Sequence, residues 1–474
     1  MLGEEFQMPR TKIVCTIGPV SESRPVLRKM IDAGMNLARL NFSHGTGEAH
    51  RKKIQIIREV SEEMQRPVAI LQDLRGPKIR VGSIPEPGVA LHRGQPFVLT
   101  SEPVEGTEER VSVSYADLSA EVHPGDRILL ADGMMELVVE RIVGADIQCE
   151  VVTGGVLTSQ KGINLPTGSL KVAAITEKDR EDLRLGLEND VDYVALSFVR
   201  GAEEIRELKA LIRDAGKHVP VVAKIEKHEA LANIEAIIDA ADAIMVARGD
   251  LGVEIPLQRV PGIQKQLVRK ANIAGKPVII ATQMLRSMVD SPRPTRAEAT
   301  DVANAVLDGA DAVMLSEETA TGNHAIEAVR FMNQIAEAAE SSFPHSEYLQ
   351  TLPRTETAEA VAYAACVLAE EINAAAIVAT TRSGFTALQI ARYKPNRVLL
   401  ALSPEKETVR RLMLCWGCTP KLISPHRNTD ERLESAAEAA LSSGVAKRGD
   451  WVVITAGHPV WTSGTTNMVK VRRL

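Results

Sequence analysis

Read only for apolar and polar positions, the chain alternates between two periods. Short runs that are almost wholly apolar, as parallel strands buried on both faces are, fall at Lys12–Ile17, Met35–Leu40, Val68–Gln72, Asp192–Leu196, Val221–Ile225, Ala243–Ala247, Val278–Ala281 and Ala312–Leu315. Between them apolar residues recur three and four apart, the helical spacing. These stretches include Arg24–Asp32, Glu48–Met64, Glu203–Ala215, about Glu229 to Ala240, and Gln264–Ala274. Gly34, Gly186, Gly275 and Gly309 stand near the predicted helix ends, as C-terminal caps would. Eight strands, each followed by a helix, is the count of a (β/α)8 TIM barrel. An open doubly wound sheet is the alternative, but no GxGxxG follows the first strand.

The alternation breaks once, after the third strand. From about Gly76 the sequence is rich in Gly, Pro, Val and short alternating runs such as Arg110–Val113, Arg127–Leu130 and Glu136–Val139. Turn signals recur at Pro85–Gly88, Arg93–Gly94, Pro124–Gly125 and Asp132–Gly133, the spacing of a small all-β domain. The predicted division is barrel over 1–75, inserted β-barrel lid over 76–171, barrel again over 172–345, and a C-terminal three-layer α/β domain over 346–474. In that last part strands are expected at Ala376–Ala379, Arg397–Ala401, Pro420–Ile423 and Trp451–Thr455, with helices at Glu356–Glu370, Gly384–Arg392 and Thr429–Ser442.

Charge gathers where the barrel strands end. In the stretch Val221–Pro256 one apolar run ends in Lys224, Ile225 and Glu226, and the next in Arg248, Gly249 and Asp250, with Gly252 beyond. Residues two apart on a strand face the same way, so Lys224 and Glu226 point together from its exit. At or past other strand ends stand Arg39, Asn41, Ser43 and His44; Asp73, Arg75, Lys78 and Arg80; Ser197; Thr282 and Gln283; Ser316 and Glu318. Polar groups thus converge on the C-terminal mouth, where barrels keep their sites. Glu226 and Asp250 are hard oxygen donors suited to Mg2+, which takes few carboxylates plus water and substrate oxygens. The surrounding cations suit a polyanionic substrate, and Gly249 and Gly252 let backbone N–H groups approach an anion. No histidine–aspartate pair stands beside a Ser or Cys, which argues against acyl-enzyme chemistry. The residues alone lead to a Mg2+-assisted reaction of a phosphorylated or carboxylated small molecule.

Composition narrows the classes further. The 474 residues are 45% hydrophobic and carry a net charge of −6 without long runs of like charge, so no nucleic-acid footprint is present. No stretch approaches the roughly 20 apolar residues of a membrane helix, and the N-terminus does not resemble a secretory signal. The cysteines are Cys15, Cys149, Cys366, Cys415 and Cys418. The last two form C-W-G-C, half a zinc site or a redox pair by pattern. With no second ligand pair, all five read as small buried residues of a reducing, cytoplasmic compartment.

Several longer runs carry a family resemblance. NLARLNFSHG (36–45), KGINLP (161–166), GDLGVEIP (249–256), ATQML (281–285) and PTRAEATDVANAVLDGADAVMLSEETA (294–320) closely resemble pyruvate kinases, collinearly over essentially the whole chain. The resemblance implies phosphoryl transfer from phosphoenolpyruvate to ADP, giving pyruvate and ATP, with Mg2+ or Mn2+ on Glu226 and Asp250. It implies Lys224 as the catalytic lysine and Arg39 on the phosphoryl group. Gly249, Asp250 and Thr282 would hold the substrate carboxylate, and Ser316 with Thr282 would sit in the network around enolate protonation. Asn41, Phe42, Ser43, His44, Arg80 and Lys161 would line the nucleotide side. A homotetramer is the family precedent. An enolate lyase or aldolase on the same kind of barrel is the alternative class, and it leaves a nucleotide-side Lys161 unexplained. A catalytically dead effector-binding protein would be expected to lose Lys224, Glu226 or Asp250.

The sequence also departs from the family. Potassium-dependent members typically read D-T-K-G-P-E-I-R where this chain has Asp73-Leu74-Arg75-Gly76-Pro77-Lys78-Ile79-Arg80. By resemblance the K+ donors are Asn41, Ser43, Asp73 and the carbonyl of Leu74. An ammonium at Lys78 would replace the ion's charge and repel it, making K+ dispensable; the alternative is a solvated lysine on the lid hinge. Arg286 stands where glutamate is usual, Glu317 where a small residue is usual, and Gly322-Asn323-His324-Ala325 replaces G-x-Y-P. Thr381, Arg382, Ser383, Gly384 and Thr386 resemble the family's site for a phosphorylated effector, with 462–466 as its accompanying loop. A plain helix N-cap is the other reading of those hydroxyls.

Overall fold

The eight predicted runs have no polar face to turn to water, and they bury both faces by closing on one another. In the computed structural model, which describes residues 9–166, 168, 171–459 and 464–474, Lys12–Thr16, Leu37–Asn41, Ala69–Asp73, Tyr193–Leu196, Val221–Ile225, Ala243–Ala247, Val278–Ala281 and Ala312–Leu315 form the barrel. All neighbouring pairs are parallel and the order is first, eighth, seventh, sixth, fifth, fourth, third, second, closed on itself. The inward side chains, among them Val14, Leu71, Ala195, Val222, Met245 and Met314, fill the interior. The outward ones pack against the surrounding helices.

A repeated device trims the barrel floor. Asn36, Asp192, Asp242 and Asp311 each immediately precede an even-numbered barrel strand. Each accepts the backbone N–H at or near the start of the strand before it: Ile13 at 2.8 Å, Ile70 at 2.8 Å, Val221 at 2.8 Å and Val278 at 3.0 Å. Buried N–H groups that the ladder leaves over are thereby satisfied.

Between Asp73 and the helix Glu177–Glu188 lies the predicted insertion. A six-stranded sheet is ordered Ile163–Asn164, Arg127–Leu130, Met135–Val143, Asp146–Thr153, Pro96–Thr100 and Arg110–Ser112. A ribbon of Val89–Leu91 with Gly155–Leu157 and the single helical turn Leu118–Glu121 complete it around a separate core. Asn164 ties this domain to the barrel, donating to Glu254 Oε1 at 3.0 Å.

The C-terminal sheet runs Cys418–Leu422, Val398–Ser403, Ala376–Thr380, Trp451–Gly457 and Thr466–Arg473, the last antiparallel and all others parallel. That fifth strand escaped the sequence reading. TNMVKVRR is a partly exposed edge with more polar than apolar residues and no clean alternation, and resembles a loop. Two side chains of this domain, Met413 and Leu414, join the barrel's interior cluster from below beside Tyr193. The domain therefore seals the barrel floor.

Two other expectations change. The predicted helix from Glu229 to Ala240 is two, His228–Ala232 and Ile234–Ala240, broken at Asn233, whose amide donates to the Arg200 carbonyl at 2.8 Å. Gly186 is no cap but lies inside the helix Glu177–Glu188, where a Cβ would come 2.0 Å from Gln72 Oε1. Close approach, not chain reversal, requires that glycine. All five cysteines are buried and outside any disulfide. No helix among the described residues is long and apolar enough to cross a membrane.

Candidate active site

At the mouth, three barrel strands bring one buried carboxylate between two cations. Asp73, at the end of the third strand, is 1% exposed. Its Oδ2 accepts Arg39 Nε and Nη2, each at 2.7 Å, and its Oδ1 lies 3.3 Å from Lys224 Nζ. Lys224 also reaches Glu226 Oε1 at 2.8 Å and donates to Ser197 Oγ at 2.7 Å. The alternation argument for Lys224 and Glu226 is thus realised in a direct ion pair. Burial by itself would lower the lysine's pKa, but Asp73 and then Glu226 more than offset this and raise it well above the usual range. Burial would raise the Asp73 carboxyl, yet Lys224 and Arg39 hold it below its ordinary value. The lysine stays protonated throughout the working pH range.

Glu226 is 1% exposed, with Oε2 accepting the Phe198 N–H at 2.7 Å. Burial pushes its carboxyl up, Lys224 opposes this, and the charge of Asp250 adds to the rise. Asp250 sits in the first turn of the helix Arg248–Glu254, which follows the sixth strand directly. A buried carboxylate pushed up by a second one is the donor chemistry a small, hard divalent cation relieves, so the residues present fit Mg2+.

Across the mouth the Gly249 N–H donates to Thr282 Oγ1 at 2.7 Å. A Cβ on Gly249 would lie 3.2 Å from that oxygen, so glycine allows the approach. Phe198, Thr282 and Gln283 have φ of 55°, 73° and 56°. Three non-glycine residues in the left-handed region concentrate backbone strain here, as at other functional sites. Ser316 Oγ is buried without a hydrogen-bond partner, while its N–H donates to Glu318 Oε2 at 2.7 Å.

Other predicted residues are placed with mixed results. Lys78 pairs with carboxylates other than the expected K+ donor Asp73. Its Nζ lies 3.3 Å from Asp132 Oδ1 of the inserted domain and 3.7 Å from Asp250 Oδ1. Three of the expected K+ donors have partners already: Asn41 Oδ1 accepts the Ser43 N–H at 3.1 Å, Leu74 O accepts Ser197 Oγ–H at 2.8 Å, and Asp73 is bound as above. The Phe42 ring is buried and stacked on His50 at 3.8 Å, and its N–H donates to Asp73 O at 2.9 Å. His44 is exposed, its carbonyl bonded to His50 Nε2 at 2.8 Å. Arg80 donates to Gln160 O at 2.8 Å, and Lys161 is exposed beside it on the inserted domain.

Arg248, read as a mouth cation, instead braces the site from behind. It donates to Asp301 Oδ1 at 2.7 Å and to Thr282 O at 3.0 Å. Two departures from the family pattern meet: Arg286 Nε and Glu317 Oε2 are 2.8 Å apart. What sequence reasoning missed is the hub role of Asp73 and the bridging role of Ser197. Their polarity at strand ends was the available signal; which partners they take depends on three strands meeting.

In the C-terminal domain, Thr381 Oγ1 accepts the Gly384 N–H at 2.9 Å and Thr386 Oγ1 pairs with Thr466 Oγ1 at 2.7 Å. Ser383 and Arg382 line a small cleft with Arg432 and Gly457. Two positions of the accompanying loop, 462 and 463, lie outside the described residues.

Comparison with known proteins agrees with this architecture. Residues 8–329 match the pyruvate kinase barrel domain and residues 359–472 the pyruvate kinase alpha/beta domain. The chain is 49% identical over 466 residues to pyruvate kinase 2 of Synechocystis, covering 98% of this chain and 79% of that protein. It is 44% identical over 469 residues to the pyruvate kinase of Staphylococcus aureus strain MRSA252, covering 98% and 80%. The chain belongs to the pyruvate kinase family.

Proposed function

We propose that the barrel mouth transfers the phosphoryl group of phosphoenolpyruvate to ADP, giving pyruvate and ATP. The observation that carries this is the lysine held charged between Asp73 and Glu226, with Lys224 Nζ at 3.3 and 2.8 Å from their oxygens. Phosphoryl transfer asks for in-line positioning and fixed positive charge, with little covalent work for the protein. Lys224 and Arg39 provide charge that needs no reorganisation as the bridge oxygen becomes an enolate. Glu226 and Asp250 would hold Mg2+ (or Mn2+), which supplies a further fixed positive charge for the phosphoryl and enolate oxygens. Gly249 and Asp250 N–H with Thr282 Oγ1 receive the substrate carboxylate, which takes the place of the present Gly249–Thr282 bond. Ser316 Oγ, buried and without a partner, holds or relays a proton near the enolate with Thr282.

The main chain of Asn41 and Phe42, with Ser43, His44, Arg80 and Lys161, forms the nucleotide side. The insertion 76–171 acts as a lid that keeps water off the transferring group. The Lys78 ammonium beside Asp250 takes over the role of K+, and the prior commitment of Asn41, Leu74 and Asp73 supports this. Thr381, Arg382, Ser383, Gly384 and Thr386 receive a phosphorylated effector. The exposed edge strand Thr466–Arg473, beside the half-exposed Trp451, supports assembly into a homotetramer. Five buried thiols suit a reducing cytoplasm.

The test is pyruvate and ATP formation from phosphoenolpyruvate and ADP with Mg2+, in tetramethylammonium buffer, with and without K+. Equal yields of the two products with little K+ effect are expected, and Lys78→Glu should lose activity about tenfold without K+ and regain it with K+. Pyruvate with inorganic phosphate in place of ATP would mean that water, not ADP, takes the phosphoryl group, and would overturn the proposal. Strict K+ dependence of the wild type would remove the role given to Lys78.

A further inference from the structure

We propose that the segment 405–414 couples the loop 380–386 to the catalytic lysine, so that Thr408 and Arg410 are positioning residues for Lys224. This rests on the effector reading of that loop. The helix Lys406–Arg411 meets the loop at one end: Thr408 Oγ1 donates to Arg382 O at 2.7 Å, and Arg382 Nε lies 3.2 Å from Glu405 Oε1. Two residues on, the same helix grips the barrel floor. Arg410 Nε donates to Asp192 Oδ1 at 2.7 Å, and the Tyr193 hydroxyl donates to Arg411 O at 2.8 Å. The following turn, Leu412–Leu414, places Met413 and Leu414 in the barrel's interior cluster with Tyr193 and Ala195.

Asp192 immediately precedes the fourth barrel strand, Tyr193 begins it, and Ser197 directly follows its end. Ser197 Oγ accepts Lys224 Nζ at 2.7 Å and donates to Leu74 O at 2.8 Å. The path from effector loop to catalytic ammonium is therefore one short helix and one four-residue strand. Both are stiff. A strand holds its rise of about 3.3 Å per residue, and a close-packed interior passes displacement on instead of absorbing it. Asp192 is 1% exposed and fully engaged, its other oxygen taking Arg58 at 2.9 Å and the Ile70 N–H at 2.8 Å. A shift of the helix thus moves the strand floor directly. The loop is the adjustable end, because Arg382 and Glu405 are half-exposed, at 55% and 47% of their side-chain surface. An anion that draws the Arg382 guanidinium off Glu405 changes what holds the start of the helix.

A second connection exists. The helix Phe385–Ala391 leads to Lys394, which pairs with Asp311 at 2.6 Å. It ends under the seventh and eighth strands, which carry Thr282 and Ser316 and not Lys224.

The two routes are separated by Thr408→Val and Arg410→Gln, with Thr408→Ser and Arg410→Lys as conservative partners. Each full-length variant is assayed for the KM of phosphoenolpyruvate, and for kcat, with and without glucose 6-phosphate, ribose 5-phosphate or fructose 1,6-bisphosphate; binding of the same probes is measured by calorimetry. In the wild type at least one probe is expected to lower KM by about fivefold or more. Thr408→Val and Arg410→Gln should bind that probe within about threefold of wild type yet shift KM by less than about twofold. The conservative pair should recover most of the response, which a merely unfolded variant would not. A full KM response in Thr408→Val and Arg410→Gln would overturn the coupling while leaving the effector site standing. A wild type that neither binds nor responds to any probe would overturn the effector reading and the coupling together.

Discussion

Asp73 decides more of the chemistry than its place at a strand end suggests. It is the only group contacting both Arg39 and Lys224 among the described residues, and its charge offsets the desolvation of a lysine that is 10% exposed. In Asp73→Asn, Lys224 keeps Glu226 as its one paired carboxylate, with the charge of Asp250 acting from further off. Removing one partner of a buried ionic cluster costs about 3–5 kcal/mol, and losing this alignment should lower kcat roughly 100-fold. The pH dependence has a definite sign. Because the folded state depresses the Asp73 carboxyl, its stabilisation is present above the unfolded value near pH 4 and is lost as pH falls through the folded value. Urea unfolding should therefore show a wide gap between wild type and Asp73→Asn at pH 7 that narrows below about pH 4. A gap independent of pH would mean that the carboxylate's charge is not what stabilises the site. The raised lysine adds no pH dependence near neutrality, since its contribution fades only as pH rises through a folded pKa in the strongly alkaline range.

At the scale of elements, the inserted domain is held against the barrel by few polar contacts. Asn164 donates to Glu254 Oε1 at 3.0 Å, an oxygen that Lys227 also reaches at 2.7 Å, while Lys78 bridges Asp132 and Asp250. Asn164→Ala should loosen closure without touching the phosphoryl-binding groups. The expected outcome is a KM for ADP raised about threefold, with more phosphate released from phosphoenolpyruvate without ATP formation; unchanged values of both would remove Asn164 from closure. The barrel strands were legible in the sequence because burial on both faces leaves an unbroken apolar run, and their lengths agree to within two residues at each end. The pairing of Lys224 with Glu226 was legible for the same reason: the period of a strand is two. The break at Asn233 was not, because it depends on a carbonyl of Arg200 more than thirty positions away. Nor was the Arg286–Glu317 pair, although each residue was noticed singly, since no local pattern says that the starts of two short helices meet. The strand Thr466–Arg473 was missed because an edge strand has little apolar signal to give.

For the whole molecule, the junction of barrel and C-terminal domain is built from buried ions as well as apolar plugs. Lys394 is fully buried and pairs with Asp311, which also accepts the Val278 N–H at 3.0 Å. Burial pushes the Asp311 carboxyl up and the Lys394 ammonium down, with each partner opposing the other's shift. Lys394→Met alone leaves an uncompensated buried carboxylate and should destabilise by about 3–5 kcal/mol. Lys394→Met with Asp311→Asn should recover much of that loss. Additive losses in chemical denaturation would show that the two residues act separately. The measurement that tests the central claim most directly is the turnover of Lys224→Met with phosphoenolpyruvate, ADP and Mg2+. A kcat lower by about 1000-fold or more is expected, with unfolding still cooperative and Mn2+ binding retained. Turnover within tenfold of wild type in a folded, metal-binding Lys224→Met would contradict that claim.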